Sequence, residues 1–236
     1  MTAIVSTYVP DLGFAVGADG LRTDAKTGAT ITEDARKIFS VEGDGLRLVY
    51  AWAGASSMIY GSGKEFSFLD ASAIIGNAIA AARPATIEEY VHQFGLAMYR
   101  RLRTICLPDG RISDRADAVP REEIAHVLLV GYYNGKPYRT GVKFSHRNLM
   151  LQPPFVDDII ESPDNFDVLT GSDVILQQFQ PMVAPESLQE AAELIRRYIQ
   201  ACVDNRSNHA DCATIGGRVH VATVTTERFA WIVPPA

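Results

Sequence analysis

The chain is 236 residues long, with 22 Lys plus Arg against 28 Asp plus Glu and a formal net charge of -6. That balance argues against a nucleic-acid binder, which needs a basic face to neutralise phosphates. Hydrophobic residues at 47% and charged residues at 21% are the proportions of a packed domain rather than a disordered one, and no apolar run approaches the roughly 18 residues of a membrane-spanning helix.

The opening residues Met1-Thr2-Ala3-Ile4-Val5-Ser6 carry no basic flank, so no secretory signal is read there. Two β-rich runs, 3–9 and 13–18, are joined by Pro10-Asp11-Leu12. A second pair, 37–42 and 46–53, surrounds Gly43-Asp44-Gly45, a strong hairpin signal. Residues 24–36 between the pairs are polar and turn-like. An alanine-rich helix is expected over 71–82, ending at Arg83-Pro84. Thr86-Ile87-Glu88-Glu89 has the form of a capping box, and Ile87, Tyr90, Val91, Phe94, Met98 and Leu102 follow on one helical face. Residues 106–122, polar with prolines near both ends, read as a long loop.

Strands return at 126–133 and 136–144 around Asn134-Gly135, and a short one ends at Asp167-Val168-Leu169-Thr170. Helix is expected at 172–179 and again from the capping box Ser187-Leu188-Gln189-Glu190. On the second of these, Leu188, Ala191, Ile195, Ile199 and Cys202 share a face. Strands 218–225 and 229–233 close the chain. Hairpins in place of βαβ units imply antiparallel pairing. Helices grouped between strand sets then predict one α+β domain over 1–236, a four-layer α/β/β/α sandwich of two antiparallel sheets. Three cysteines, Cys106, Cys202 and Cys212, are too few and too odd in number for a disulfide framework, so a cytoplasmic setting is expected.

Several chemical motifs fail on inspection. Gly61-Ser62-Gly63-Lys64 lacks the upstream glycine of a phosphate loop and has Glu65 where a magnesium-holding hydroxyl belongs, so it reads as a turn. Gly54-Ala55-Ser56-Ser57-Met58 lacks the second glycine of a nucleophile elbow. His209, Asp211 and Cys212 are metal-capable but have no second pair spaced to complete a site, so neither metal nor cofactor is expected. His92, His126, His146 and His220 stand apart with no suggestive partner, and Cys202 reads as a core residue.

One grouping survives. If Val9 pairs with Gly13, Ala3 faces Asp19 and Thr2 lies beside Gly20. If Glu42 pairs with Leu46, Lys37 lies near Ala51, at the end that continues into Gly54. Thr2, Asp19, Lys37 and Gly54 therefore all sit at the open ends of hairpins. Here the sequence resembles the proteasome β-type subunits and their bacterial peptidase relatives, the threonine branch of the N-terminal-nucleophile hydrolases. The resemblance rests on Thr2-Ala3-Ile4-Val5-Ser6, Gly17-Ala18-Asp19, Ala35-Arg36-Lys37-Ile38, Ala51-Trp52-Ala53-Gly54-Ala55 and Leu169-Thr170-Gly171-Ser172, in the family's order. Weaker matches are the helix over 187–203 and Gly216-Gly217 leading into a strand.

The resemblance implies the same sandwich fold and assigns roles. Thr2 would be the nucleophile once Met1 is removed, Lys37 the lysine beside it, Asp19 the carboxylate orienting that lysine, and Gly54 the oxyanion donor. Ser172 and Asp211 would support them. Asp211 lies one residue further from Gly216-Gly217 than in the family, and Thr214 is the residue available where the family has a serine. Trp52 falls where the family shapes the pocket for the residue before the cleaved bond, and Thr23 and Ser56 where substrate backbone is aligned. The resemblance also implies a peptide or unfolded-protein substrate, a homo-oligomer of stacked rings, and service by an ATP-driven unfoldase. Its alternatives are a non-catalytic scaffold subunit of the same fold and a small-molecule amidase.

The chemistry is coherent on its own terms. A threonine hydroxyl needs a base within reach, and a free α-amine, with a reference pKa of about 7.7–8.0, suits the task. A neighbouring Lys37 cation favours the neutral amine, and a backbone donor at the developing oxyanion contributes roughly 3–4 kcal/mol.

Overall fold

The computed structural model describes residues 2–24, 27–55, 57–59, 65–113, 122–163, 166–179 and 183–236. In chain order the first strands are β1 (Ile4–Val9), β2 (Gly13–Asp19), β3 (Arg22–Thr23), β4 (Thr30–Thr32), β5 (Ile38–Gly43), β6 (Leu46–Gly54), β7 (Ser57–Ile59) and β8 (Glu65–Ser67). Helices α1 (Phe68–Ala81) and α2 (Ile87–Arg103) follow. Then come β9 (Glu123–Tyr133), β10 (Lys136–Arg147), β11 (Met150–Leu151), β12 (Phe155–Val156), β13 (Ile160–Glu161) and β14 (Asp167–Thr170). Helices α3 (Asp173–Gln177) and α4 (Leu188–Asp204), and strands β15 (Val219–Val224) and β16 (Phe229–Val233), complete the chain. The class is α+β with antiparallel sheets, as the hairpin pattern requires.

Two sheets dominate. One has the order β14-β1-β2-β15-β16; the other runs β11-β10-β9-β6-β5, with β12 and β13 also pairing to β10. Period-two alternation gives each sheet two apolar faces. On β2, Phe14, Val16 and Ala18 join Ile38, Val49, Leu128 and Val130 of the other sheet in one cluster. Ala15, on the opposite face, packs instead with Ile195, Tyr198 and Ile199 of α4. A third cluster unites Tyr50, Trp52 and Phe144 with Phe68 of α1 and Tyr90, Phe94 and Met98 of α2. Helix and strand approach closely at Gly17, where an added Cβ would lie 2.2 Å from Ile195 Cγ2.

Both capping boxes form. Thr86 Oγ1 accepts from Glu89 N at 3.1 Å, and Ser187 Oγ accepts from Glu190 N at 3.2 Å. The first helix begins earlier than expected, at Phe68, because Ser67 Oγ accepts from Asp70 N at 3.2 Å and caps it there. The second hairpin differs from expectation by one residue. Gly43 pairs with Leu46 and Glu42 with Arg47, so the turn is the two-residue Asp44-Gly45. The expected loop at 106–122 is tied down in its described part: Ile112 is buried, and its N–H donates to Leu149 O at 2.8 Å. Residues 114–121 and the Gly61–Lys64 turn lie outside the described residues. Cys202 is the core residue expected, and burial pushes its thiol pKa up to about 12.

Candidate active site

The three-residue loop after Val9 sets the first register: Val9 pairs with Gly13 and Ile4 with Ala18. Ala3 therefore faces Asp19, and Asp19 N donates to Ala3 O at 3.3 Å. The Asp19 side chain turns back on the same junction and takes the Ala3 N–H at 2.9 Å. Its second oxygen accepts from Leu21 N at 3.3 Å and from Gly216 N at 3.1 Å. A carboxylate with no exposed surface is costly unless its lone pairs are filled, and here backbone donors fill most of them.

Lys37 supplies the fourth donor. Its Nζ lies 3.2 Å from Asp19 Oδ1 and 3.0 Å from Thr2 Oγ1. Thr2 and Lys37 are themselves only 5% and 6% exposed. Burial pushes the Lys37 pKa down, and the charge and hydrogen bond of Asp19 offset this only in part. The result is a lysine of reduced proton affinity against a hydroxyl, held by a fixed carboxylate. That is the nucleophile, partner and orienter geometry of an activated hydroxyl.

Gly54 ends β6 on the same side. Trp52 N donates to Lys37 O at 2.9 Å, and Ala55 N donates across to Ile124 O at 2.9 Å. Strand alternation therefore turns the Gly54 N–H toward the Lys37 side, where no described carbonyl takes it. Its φ of +98° and an added Cβ's approach to within 2.5 Å of Ile124 O both demand glycine.

Ser172 and Asp211 form a second group. Ser172 Oγ donates to Asp211 Oδ2 at 3.0 Å and also caps α3 by accepting from Ile175 N at 3.3 Å. Asp211 sits in a single turn of 3-10 helix, Ala210–Cys212. No direct hydrogen bond joins this pair to Lys37 or Thr2 among the described residues. The link is Thr170, two residues before Ser172, whose hydroxyl donates to the Thr2 carbonyl. Trp52 is 1% exposed, stacked with Phe144 and packed on Phe68, and its indole N–H donates to Ala55 O at 2.7 Å. It is a core residue opposite Lys37, where the expected register would have placed Ala51. Thr23 is half-buried in the small β3–β4 ladder. Ser56 and Met1 lie outside the described residues.

Sequence reasoning missed several participants. Thr170 and Tyr198 look like ordinary strand and helix residues. Yet the Tyr198 hydroxyl takes the Ser172 N–H at 2.9 Å and donates to the Ser172 carbonyl at 3.2 Å. Two histidines read as unpartnered have carboxylates: His126 Nε2 lies 2.8 Å from Asp157 Oδ2, and His220 Nε2 lies 2.6 Å from Asp34 Oδ1. Their partners are remote in sequence, so no spacing announces them. Among the described residues no group of three His, Cys, Asp or Glu side chains is arranged to hold a metal ion, and no helix is long and apolar enough to cross a membrane. No protein-family model matches the chain, and no curated protein is significantly similar to it in sequence.

Proposed function

We propose that this chain is a threonine-type peptidase of the N-terminal-nucleophile class, built as a four-layer α/β/β/α sandwich. The observation that carries the reading is Lys37 Nζ within hydrogen-bond distance of both Thr2 Oγ1 and Asp19 Oδ1, all three buried. Removal of Met1 frees the Thr2 α-amine. That amine takes the hydroxyl proton as Oγ1 attacks the substrate carbonyl carbon, and the Lys37 cation favours the developing alkoxide. The Gly54 N–H receives the tetrahedral oxyanion. Collapse breaks the C–N bond, the ammonium proton leaves with the amine product, and an acyl ester remains on Thr2. Water, deprotonated by the same amine, hydrolyses the ester and restores the hydroxyl.

So small a nucleophilic centre has little selectivity of its own. The reading therefore includes a homo-oligomeric ring or stacked assembly in a cytoplasmic setting that encloses the sites, takes peptide or unfolded-protein substrates, and is served by an ATP-driven unfoldase. The test is hydrolysis of fluorogenic peptides and denatured protein beside simple amides, with intact-mass measurement of the preparation. Peptide cleavage by chains lacking Met1, lost in Lys37→Ala, is the expected result. Cleavage of simple amides alone makes the chain an amidase, and no hydrolysis by the processed chain makes it a scaffold. Full activity from chains that all retain Met1 removes Thr2 as nucleophile. Light scattering that finds only monomer over a wide concentration range removes the assembly.

A further inference from the structure

The sheet ladder makes its last bond at Lys37, from Trp52 N to Lys37 O, and does not reach further back along the segment that delivers it. That segment is held from elsewhere. Arg218 N donates to Glu33 O at 2.7 Å, and Ala35 N donates to Gly20 O at 2.8 Å. The Arg36 guanidinium lies 5.0 Å from the Phe39 ring centroid and 5.8 Å from that of Trp231. Asp34 is gripped through its side chain. One oxygen takes the His220 Nε2 proton at 2.6 Å, and the other takes the Ala236 N–H at 2.6 Å.

His220 is unlike the other anchors. It lies near the start of β15, between β2 and β16 in the five-stranded sheet, paired with Ala18 and next to the residue paired with Asp19. It has no exposed surface, and its Nδ1 has no partner among the described residues. A buried imidazole with one nitrogen unsatisfied is an unfavourable choice for a core position. Its Nε2–H reaches the Asp34 carboxylate and ties the strand beside Asp19 to the segment carrying Lys37.

We propose that His220 is a positioning residue for Lys37, acting through Asp34. The inference rests on reading Lys37 as the group that serves Thr2. Among the described residues the His220 side chain bonds Asp34 and neither Thr2 nor Lys37; it fixes the distance between the Asp19 strand and the segment bearing Lys37. Misplacement of a reacting group by about 1 Å costs up to about a hundredfold in rate.

The experiment uses the full chain and three variants. His220→Leu replaces the imidazole by an apolar side chain and strands no buried charge, because the Asp34 side chain is 27% exposed and meets water. His220→Gln restores an N–H where Nε2 stood. Asp34→Ala cuts the same link from its more exposed end. Thermal unfolding, the acylation rate of Lys37 read by peptide mass spectrometry, and kcat and KM are measured for each.

His220→Leu and Asp34→Ala are expected to acylate Lys37 at least about tenfold faster, with kcat reduced by roughly ten- to a hundredfold at unchanged KM. His220→Gln is expected to return both to near the parent values. Unchanged Lys37 acylation in Asp34→Ala overturns the proposal, whether or not His220→Leu folds, and so does failure of His220→Gln to rescue a folded His220→Leu. Faster acylation with hydrolysis unaffected, or with no hydrolysis in the parent, supports the positioning and sinks the peptidase reading of Lys37 instead.

Discussion

Among the described residues, two lysine–aspartate contacts have nearly equal length in very different surroundings. Lys37 and Asp19 meet at 3.2 Å with side chains 7% and 0% exposed; Lys143 and Asp157 meet at 3.1 Å with side chains 36% and 28% exposed. In the first, desolvation outweighs attraction and the lysine loses proton affinity. In the second, burial raises the Asp157 pKa, but hydrogen bonds from His126 and Lys143 more than offset it and hold the carboxyl below its ordinary value. Distance alone does not separate them. Burial does, together with a hydroxyl against the first lysine and solvent against the second. The first contact leaves a lysine of lowered proton affinity against the Thr2 hydroxyl, and the second clips β12 and β13 onto β10.

The sharpest way to break this comparison is to remove each lysine. Lys37→Met is expected to lower peptide hydrolysis by roughly a thousandfold or more, and Lys143→Met to leave it within about twofold, measured as kcat/KM. Equal effects would end the distinction. Next come the carboxylates, compared by urea unfolding. Asp19→Asn replaces one carboxylate oxygen by an N–H₂ that must face one pair of donors, Ala3 N with Lys37 Nζ or Leu21 N with Gly216 N, and is expected to cost about 3–5 kcal/mol. Asp157→Asn, half-exposed, is expected to cost about 1 kcal/mol or less.

A finer contrast lies in pH. Because the folded Lys37 pKa is below the ordinary 10.5, the unfolded chain binds more protons in the interval beneath that value. Stability rises with pH through this window, and Lys37→Met flattens the rise. The Asp157 contribution has the opposite placement: it is fully present above the ordinary 3.8 and is lost as pH falls through its lower folded value. Unfolding free energies of the parent and both variants across pH separate the two limbs. The smallest expected effect is Lys143→Met on stability at neutral pH, within about 1 kcal/mol, since an exposed pair is screened by water and salt.

Local signals carried much of this arrangement. The loop Pro10-Asp11-Leu12 sets a register that brings Ala3 opposite Asp19, and both capping boxes mark their helices correctly. Errors arose where a single residue decided the geometry. Counting Gly43 into the turn shifts the second hairpin by one position, enough to exchange the partner of Lys37. Ser67 as a helix cap is invisible without the β8 strand that precedes it. The remainder is long-range: the His220–Asp34 contact spans 186 positions and that of Ser172 with Asp211 spans 39, and such proximity follows from sheet order, not from any window of sequence. Trp52 shows the converse. The family resemblance implies a pocket wall, whereas the alternation of β6 turns its ring into the cluster with Phe68 and Phe144.

The close approach at Gly17 has a mechanical consequence. With Ile195 seated directly on the strand backbone, α4 cannot slide along β2 or rise from it without opening a void. Asp19 lies two residues beyond Gly17, and Tyr198 lies three beyond Ile195, so both ride on one rigid piece. A side chain at Gly17 that pushed α4 off β2 would therefore disturb both at once: the carboxylate that holds Lys37, and the hydroxyl that holds the Ser172 backbone.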